Sequence, residues 1–132
     1  MSDRGSSDRR SDLARVRGLG SAKEGVHHWW MQRLTAVALV PLAIWFVASL
    51  IAHTGASYDA ASAWLASPVV FGIMVLLVVI TFYHAMLGLQ VIIEDYLHHE
   101  GAKIAALLLM KFACVALALT ALVALLVIAF GR

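Results

Sequence analysis

A single histidine lies inside one of the most apolar stretches of this sequence. His84 belongs to YHAMLGLQVIIEDY, residues 83–96, which ends on Asp95 and Tyr96. Asp95 lies 11 positions after His84, and 11 helical steps of about 100° bring its side chain to within about 20° of the direction of His84. The two side chains therefore share one face, about 16 Å apart along the helix, with Gly88 between them and Tyr96 offset by roughly 120°.

The imidazole of His84 allows two interpretations. A neutral imidazole in a helical bundle suits axial ligation of haem iron, and it equally suits a hydrogen bond to a neighbouring helix. Gly88 leaves a gap where either a helix backbone or a flat cofactor can approach. No second histidine lies at this depth, since the others are near the ends of the apolar blocks: His27, His28, His53, His98 and His99. A bis-histidine haem would need its second ligand from another polypeptide.

Three further side chains at the block ends can take part in chemistry. The guanidinium of Arg33 can hold carboxylates such as haem propionates by paired hydrogen bonds, or it can bind lipid headgroups. Asp95 and Tyr96 combine a proton acceptor with a phenol donor, which is what reduction of a quinone carbonyl requires. They are equally compatible with an acid at a helix end and an interfacial tyrosine.

The elements that must position these residues are membrane-spanning helices. Hydrophobic residues make up 62% of the 132 residues and charged residues 14%, against about 45–50% and about 25% in a typical soluble domain. Three apolar blocks, at 34–52, 69–93 and 104–130, each reach the roughly 20 residues that cross a bilayer as a helix. We therefore predict an all-α membrane protein with three spans, with Pro41 kinking the first without ending it.

Positive charges predict the orientation of these spans. Seven of the ten Lys and Arg residues fall in residues 1–33, and none in the loop at 54–68. The positive-inside rule places the N-terminus in the cytoplasm and the C-terminus in the periplasm. Residues 1–24 are rich in Ser, Arg, Asp and Gly and are predicted to be a disordered cytoplasmic tail, leaving 25–132 as the membrane domain. We expect lipid and protein partners and no nucleic acid.

Cysteine usage excludes several kinds of site. Cys114 is the only cysteine, so an intramolecular disulfide, a cysteine-ligated cluster and a C-x-x-C-H haem attachment are impossible within this chain. No phosphate-binding glycine loop or nucleophile elbow is present. We predict no catalytic residue of its own and no activity for the isolated chain.

Two motifs carry a resemblance to a known family. The chain resembles the D-type hydrophobic anchor subunit of succinate dehydrogenase (succinate:quinone oxidoreductase, complex II) of the proteobacterial kind. The first motif is GSAKEGVHHWWMQRLTA, residues 20–36, with its Gly-x-His segment and Arg-x-Thr pair. The second is His-x-x-x-Gly followed after six residues by Asp-Tyr, residues 84–96. The companion C-type subunit typically continues its second motif with Arg-His, where this chain has Gln90 and Val91. The resemblance covers about Gly20 to the C-terminus.

The resemblance implies a place in a larger complex. It implies a bacterial inner-membrane anchor that packs with a C-type anchor subunit beneath an iron–sulfur subunit and a flavoprotein, which carry the iron–sulfur clusters and FAD. By the same resemblance, His84 is one axial ligand of a haem b whose other ligand comes from the C-type subunit. Arg33 and His27 lie on the propionate side, and Tyr96 and Asp95 contact ubiquinone. Electrons from succinate would reach quinone there.

Three other functions remain open on the sequence alone. An anchor of a fumarate reductase-type enzyme would carry out the same chemistry in reverse. A non-redox scaffold or assembly subunit would use His84 only as a buried polar contact. A transporter subunit fits less well, because Lys111 is the only charged residue well inside a span.

Overall fold

Residues 23–131, which the computed structural model describes, fold into four helices. They are α1 (Lys23–Ala52), α2 (Tyr58–Leu65), α3 (Pro68–Tyr96) and α4 (Glu100–Phe130). Three of them, α1, α3 and α4, are long and apolar enough to cross a membrane. This confirms the predicted all-α fold with three spans, and no strand occurs between residues 23 and 131. The orientation in the membrane stays a prediction.

The helices extend beyond the predicted apolar blocks at their polar ends. The first begins at Lys23 rather than at Leu34, so residues 23–36 of the motif that contains His27 and Arg33 are helical. Pro41 lies inside it without ending it, as predicted. The predicted tail lies outside the described residues, except for Lys23 and Glu24, which form the start of α1. Asp95 and Tyr96 belong to the last turn of α3, and residues 97–99 connect α3 to α4.

A short helix replaces part of the loop predicted at 54–68. The chain leaves α1 through Gly55, whose φ of 83° is readily adopted only without a side chain. Ser57 then caps α2 by accepting a hydrogen bond from the backbone N–H of Ala60 at 3.3 Å. Trp64 belongs to α2. Its ring stacks on Trp45 of α1 at a centroid distance of 6.1 Å.

Helix α3 lies at the centre of the bundle. Both α1 and α4 pack along α3, whereas the backbones of α1 and α4 do not approach each other within the described residues. We call the end that holds the start of α1, the end of α3 and the start of α4 the tail end, and the opposite end, which holds α2, the far end. Because short connections join antiparallel helices, these elements lie together at each end.

Little of the chain is buried against itself. The buried side chains of the described residues are Thr35, Ser62, Leu87, Cys114, Leu125 and Ala129. Large apolar side chains are exposed along all three long helices; Ile44, Val69 and Leu109, for example, are 66–73% exposed. Apolar surface on this scale has to meet lipid or other protein chains.

Candidate functional site

His84 hydrogen-bonds to α1 near the middle of the bundle. Its Nδ1 lies 2.8 Å from the hydroxyl oxygen of Thr35. That hydroxyl also lies 2.7 Å from the carbonyl oxygen of Met31, one turn earlier in α1. The imidazole is half-buried and Thr35 is only 6% exposed. Thr35 is the threonine of the Arg-x-Thr pair in the first motif, and we predicted no role for it; a hydroxyl inside an apolar span was the only signal.

The gap beside His84 is occupied by α1. A Cβ built on Gly88 would lie 3.3 Å from the side-chain amide nitrogen of Gln32. In this chain the side chain of Gln32, which belongs to α1, lies at this gap. His84 and Gly88 both face α1, which places the histidine face of α3 along the α1–α3 contact.

Asp95 and Tyr96 lie on the surface at the tail end. Tyr96 is 80% exposed, and Asp95 is exposed as well. Between residues 23 and 131, neither side chain forms a hydrogen bond or an ion pair. Their phenol and carboxylate are thus open to water or to another molecule at this end of the bundle.

Arg33 lies on a different face of α1 from Thr35. The two residues are separated by two positions, which is about 200° around the helix. Arg33 is exposed, and its guanidinium carbon lies 5.0 Å from the ring centre of Trp29 in a cation–π contact. Within the described residues, Arg33 therefore does not lie against His84, and its guanidinium forms no ion pair there.

A cleft opens between α1 and α3 at the tail end. It encloses about 610 Å³, and polar side chains of both helices line it, among them His27, His28, Tyr83, Gln90 and Glu94. Gln90 donates a hydrogen bond to Glu94 at 2.9 Å. Of the predicted site residues only His27 lines this cleft. The other four were not predicted as site residues, although Tyr83, Gln90 and Glu94 recur at helical spacing.

The remaining histidines have local structural contacts or lie at the surface. His53 stacks on Trp64 at 4.3 Å at the far end, and His99 accepts a hydrogen bond from the N–H of Ala102 at the start of α4. His98 is exposed. Within residues 23–131, no three His, Cys, Asp or Glu side chains are grouped so that they could hold a metal ion. Any metal at His84 would need ligands from outside this part of the chain.

The chain is similar to membrane anchor subunits of succinate dehydrogenase. Residues 7–130 match the family of succinate dehydrogenase/fumarate reductase transmembrane subunits, so the match begins earlier than Gly20, where we placed the start of the resemblance. The succinate dehydrogenase hydrophobic membrane anchor subunit of Rickettsia bellii is 37% identical over 90 residues, which are 68% of this chain and 72% of that protein.

Other relatives carry the same name. The anchor subunit of Paracoccus denitrificans is 33% identical over 67% of this chain and 68% of its own length. That of Rickettsia conorii is 29% identical over 82% of this chain and 86% of its own length. No solved structure matches the chain.

Proposed function

The chain belongs to the succinate dehydrogenase/fumarate reductase transmembrane subunit family, and from this we propose that it is the D-type membrane anchor of a bacterial succinate dehydrogenase. In this role it supplies one axial ligand of a haem b, shared with a second anchor subunit, and part of a ubiquinone site. The iron–sulfur subunit and the flavoprotein are its other partners, and the bacterial inner membrane is its location.

The anchoring role is supported by the fold. Three apolar helices of 29–31 residues are longer than the roughly 20 residues a bilayer requires, so their ends can extend beyond the hydrocarbon at either side. Few of their side chains are buried within the chain, which leaves wide apolar surfaces for lipid and for a second anchor subunit.

The haem role depends on one observation, the state of the His84 imidazole. Its Nδ1 is engaged by Thr35, whereas its Nε2 has no hydrogen-bond partner among residues 23–131. Iron in a haem is held by an imidazole nitrogen with a free lone pair, so this residue fits the group. When bound, the haem would supply a one-electron redox centre within the membrane.

The quinone role is supported by the tail end of α3. The exposed phenol of Tyr96 can donate a hydrogen bond to a quinone carbonyl, and the exposed carboxylate of Asp95 can exchange protons with water. Arg33 and His27, both exposed at the same end, can donate hydrogen bonds to propionates. These four residues lie on surfaces that residues 23–131 leave uncovered.

The haem proposal is tested by a reduced-minus-oxidised optical spectrum of the purified complex. We expect a b-type band that His84→Ala removes while the subunits stay assembled. His98→Ala is the matched control, because His98 is exposed and lies outside the α1–α3 contact; its spectrum should equal that of the native complex. An unchanged band in His84→Ala would exclude this residue as a ligand.

The quinone proposal is tested by separating two activities of the same complex. Tyr96→Phe should slow quinone reduction and leave succinate oxidation by an artificial electron acceptor unchanged, because only the phenol donor is lost. Tyr58→Phe is the control, since Tyr58 is comparably exposed but lies at the far end. If Tyr96→Phe reduced both activities equally, the residue would serve assembly and not the quinone.

A further inference from the structure

The hydroxyl of Thr35 has one proton and three polar neighbours. The carbonyl oxygens of Met31 and Gln32 lie 2.7 and 3.1 Å away, and Nδ1 of His84 lies 2.8 Å away. A carbonyl oxygen can only accept, so its 2.7 Å approach to another oxygen requires the hydroxyl proton between them. Thr35 therefore donates to Met31, as threonine commonly does within a helix.

The proton between Thr35 and His84 then belongs to the histidine. With its own proton directed at Met31, the Thr35 oxygen can only accept, and Nδ1 of His84 must donate. A neutral imidazole carries one proton, so a protonated Nδ1 leaves the lone pair on Nε2. The α1–α3 contact thus selects one of the two tautomers.

We propose that Thr35 is a positioning residue for haem ligation, which holds the His84 ring in one orientation and keeps Nε2 free for iron. This inference rests on the proposed function of His84. Ligating histidines generally donate their other N–H to a fixed acceptor, and loss of that acceptor typically weakens metal binding about 10–100-fold. Here the acceptor comes from the other motif of the sequence, 49 residues away.

A second threonine in a span, Thr120, also donates to a carbonyl oxygen of its own helix, so this bond does not by itself place a histidine beside the hydroxyl. Thr120 of α4 donates to the carbonyl oxygen of Ala116 at 2.8 Å, and it is exposed. Its hydroxyl has the same local bond as Thr35, without a histidine beside it. Thr120 therefore provides a matched control for the loss of a hydroxyl inside a span.

The experiment replaces the hydroxyl by a methyl of similar size. Thr35→Val is expressed in the whole complex with limiting haem precursor, and the haem-to-flavin ratio and the haem midpoint potential are measured. We expect haem affinity to fall about 10–100-fold. The potential should rise, because an imidazole that no longer donates from Nδ1 is a weaker electron donor to ferric iron. Thr35→Ser keeps the hydroxyl and should give the native haem-to-flavin ratio and midpoint potential. Thr120→Val should also give the native values.

The results separate this inference from the proposed function. A native ratio and potential in Thr35→Val, together with loss of the b-type band in His84→Ala, would overturn the role of Thr35 and leave the ligand role of His84 intact. A band that survives His84→Ala would instead remove the proposed function. If Thr35→Val fails to assemble, Thr35→Ala removes the hydroxyl without placing a methyl against the ring. Native values in that variant would equally overturn the inference.

Discussion

The close approach of α1 to Gly88 predicts that this position tolerates only a very small side chain. A Cβ at position 88 would lie 3.3 Å from the amide nitrogen of Gln32, so alanine requires a shift of a few tenths of an ångström by a flexible side chain. Leucine adds an isopropyl group beyond that Cβ, and we expect it to collide with the Gln32 side chain and to push α1 away from α3. Overpacking of this kind costs about 1–3 kcal/mol, which lowers the equilibrium ratio of packed to separated α1 and α3 by about fivefold to about 150-fold.

The assay for Gly88→Leu is the temperature at which half of this chain is released from the purified complex, followed on native gels. We expect a clear decrease for Gly88→Leu and a change equivalent to less than about 1 kcal/mol for Gly88→Ala. Gly72→Leu is the matched control in the same helix, because a Cβ there has no atom within 4 Å. It should release near the native temperature.

A second variant tests the physical cause directly. Gln32→Ala removes the side chain that leucine would strike, and the carbonyl oxygen of that side chain is buried without a hydrogen-bond partner, so its loss is cheap. The double variant Gly88→Leu with Gln32→Ala should therefore recover part of the stability that Gly88→Leu loses. Equal release temperatures for Gly88→Leu and Gly72→Leu, or no recovery in the double variant, would refute the reasoning from close packing.

Three further predictions concern the far end and α4. Ser57→Ala should destabilise the first turn of α2 by about 1 kcal/mol and speed amide exchange at Ala60, while Ser67→Ala, whose side chain makes no capping bond, should change nothing. Trp64→Ala removes two ring contacts worth about 0.5–1.5 kcal/mol each and should lower the release temperature. Trp64→Phe should lower it less, and equal release temperatures for the two variants would contradict this prediction. Cys114, 8% exposed, should react with maleimide only after unfolding, as peptide mass spectrometry would show.

The sequence alone determined the number and type of the spans and the shared face of His84 and Gly88. Long apolar runs have to be helical in lipid because every backbone group needs a partner within its own segment. Helical periodicity then places residues four positions apart on one face whatever packs there. Neither inference depends on the contacts that the helices make with one another.

Contacts between helices were decided only by the tertiary structure. Thr35 pairs with His84, and Gln32 with Gly88, because of the register between α1 and α3. Hydropathy does not specify this register, because apolar helices can slide along one another. The same register turns Thr35 towards α3 and Arg33 away from it, although the two residues are nearly adjacent in sequence. The presence of α2 also depends on capping and packing, which hydropathy does not measure.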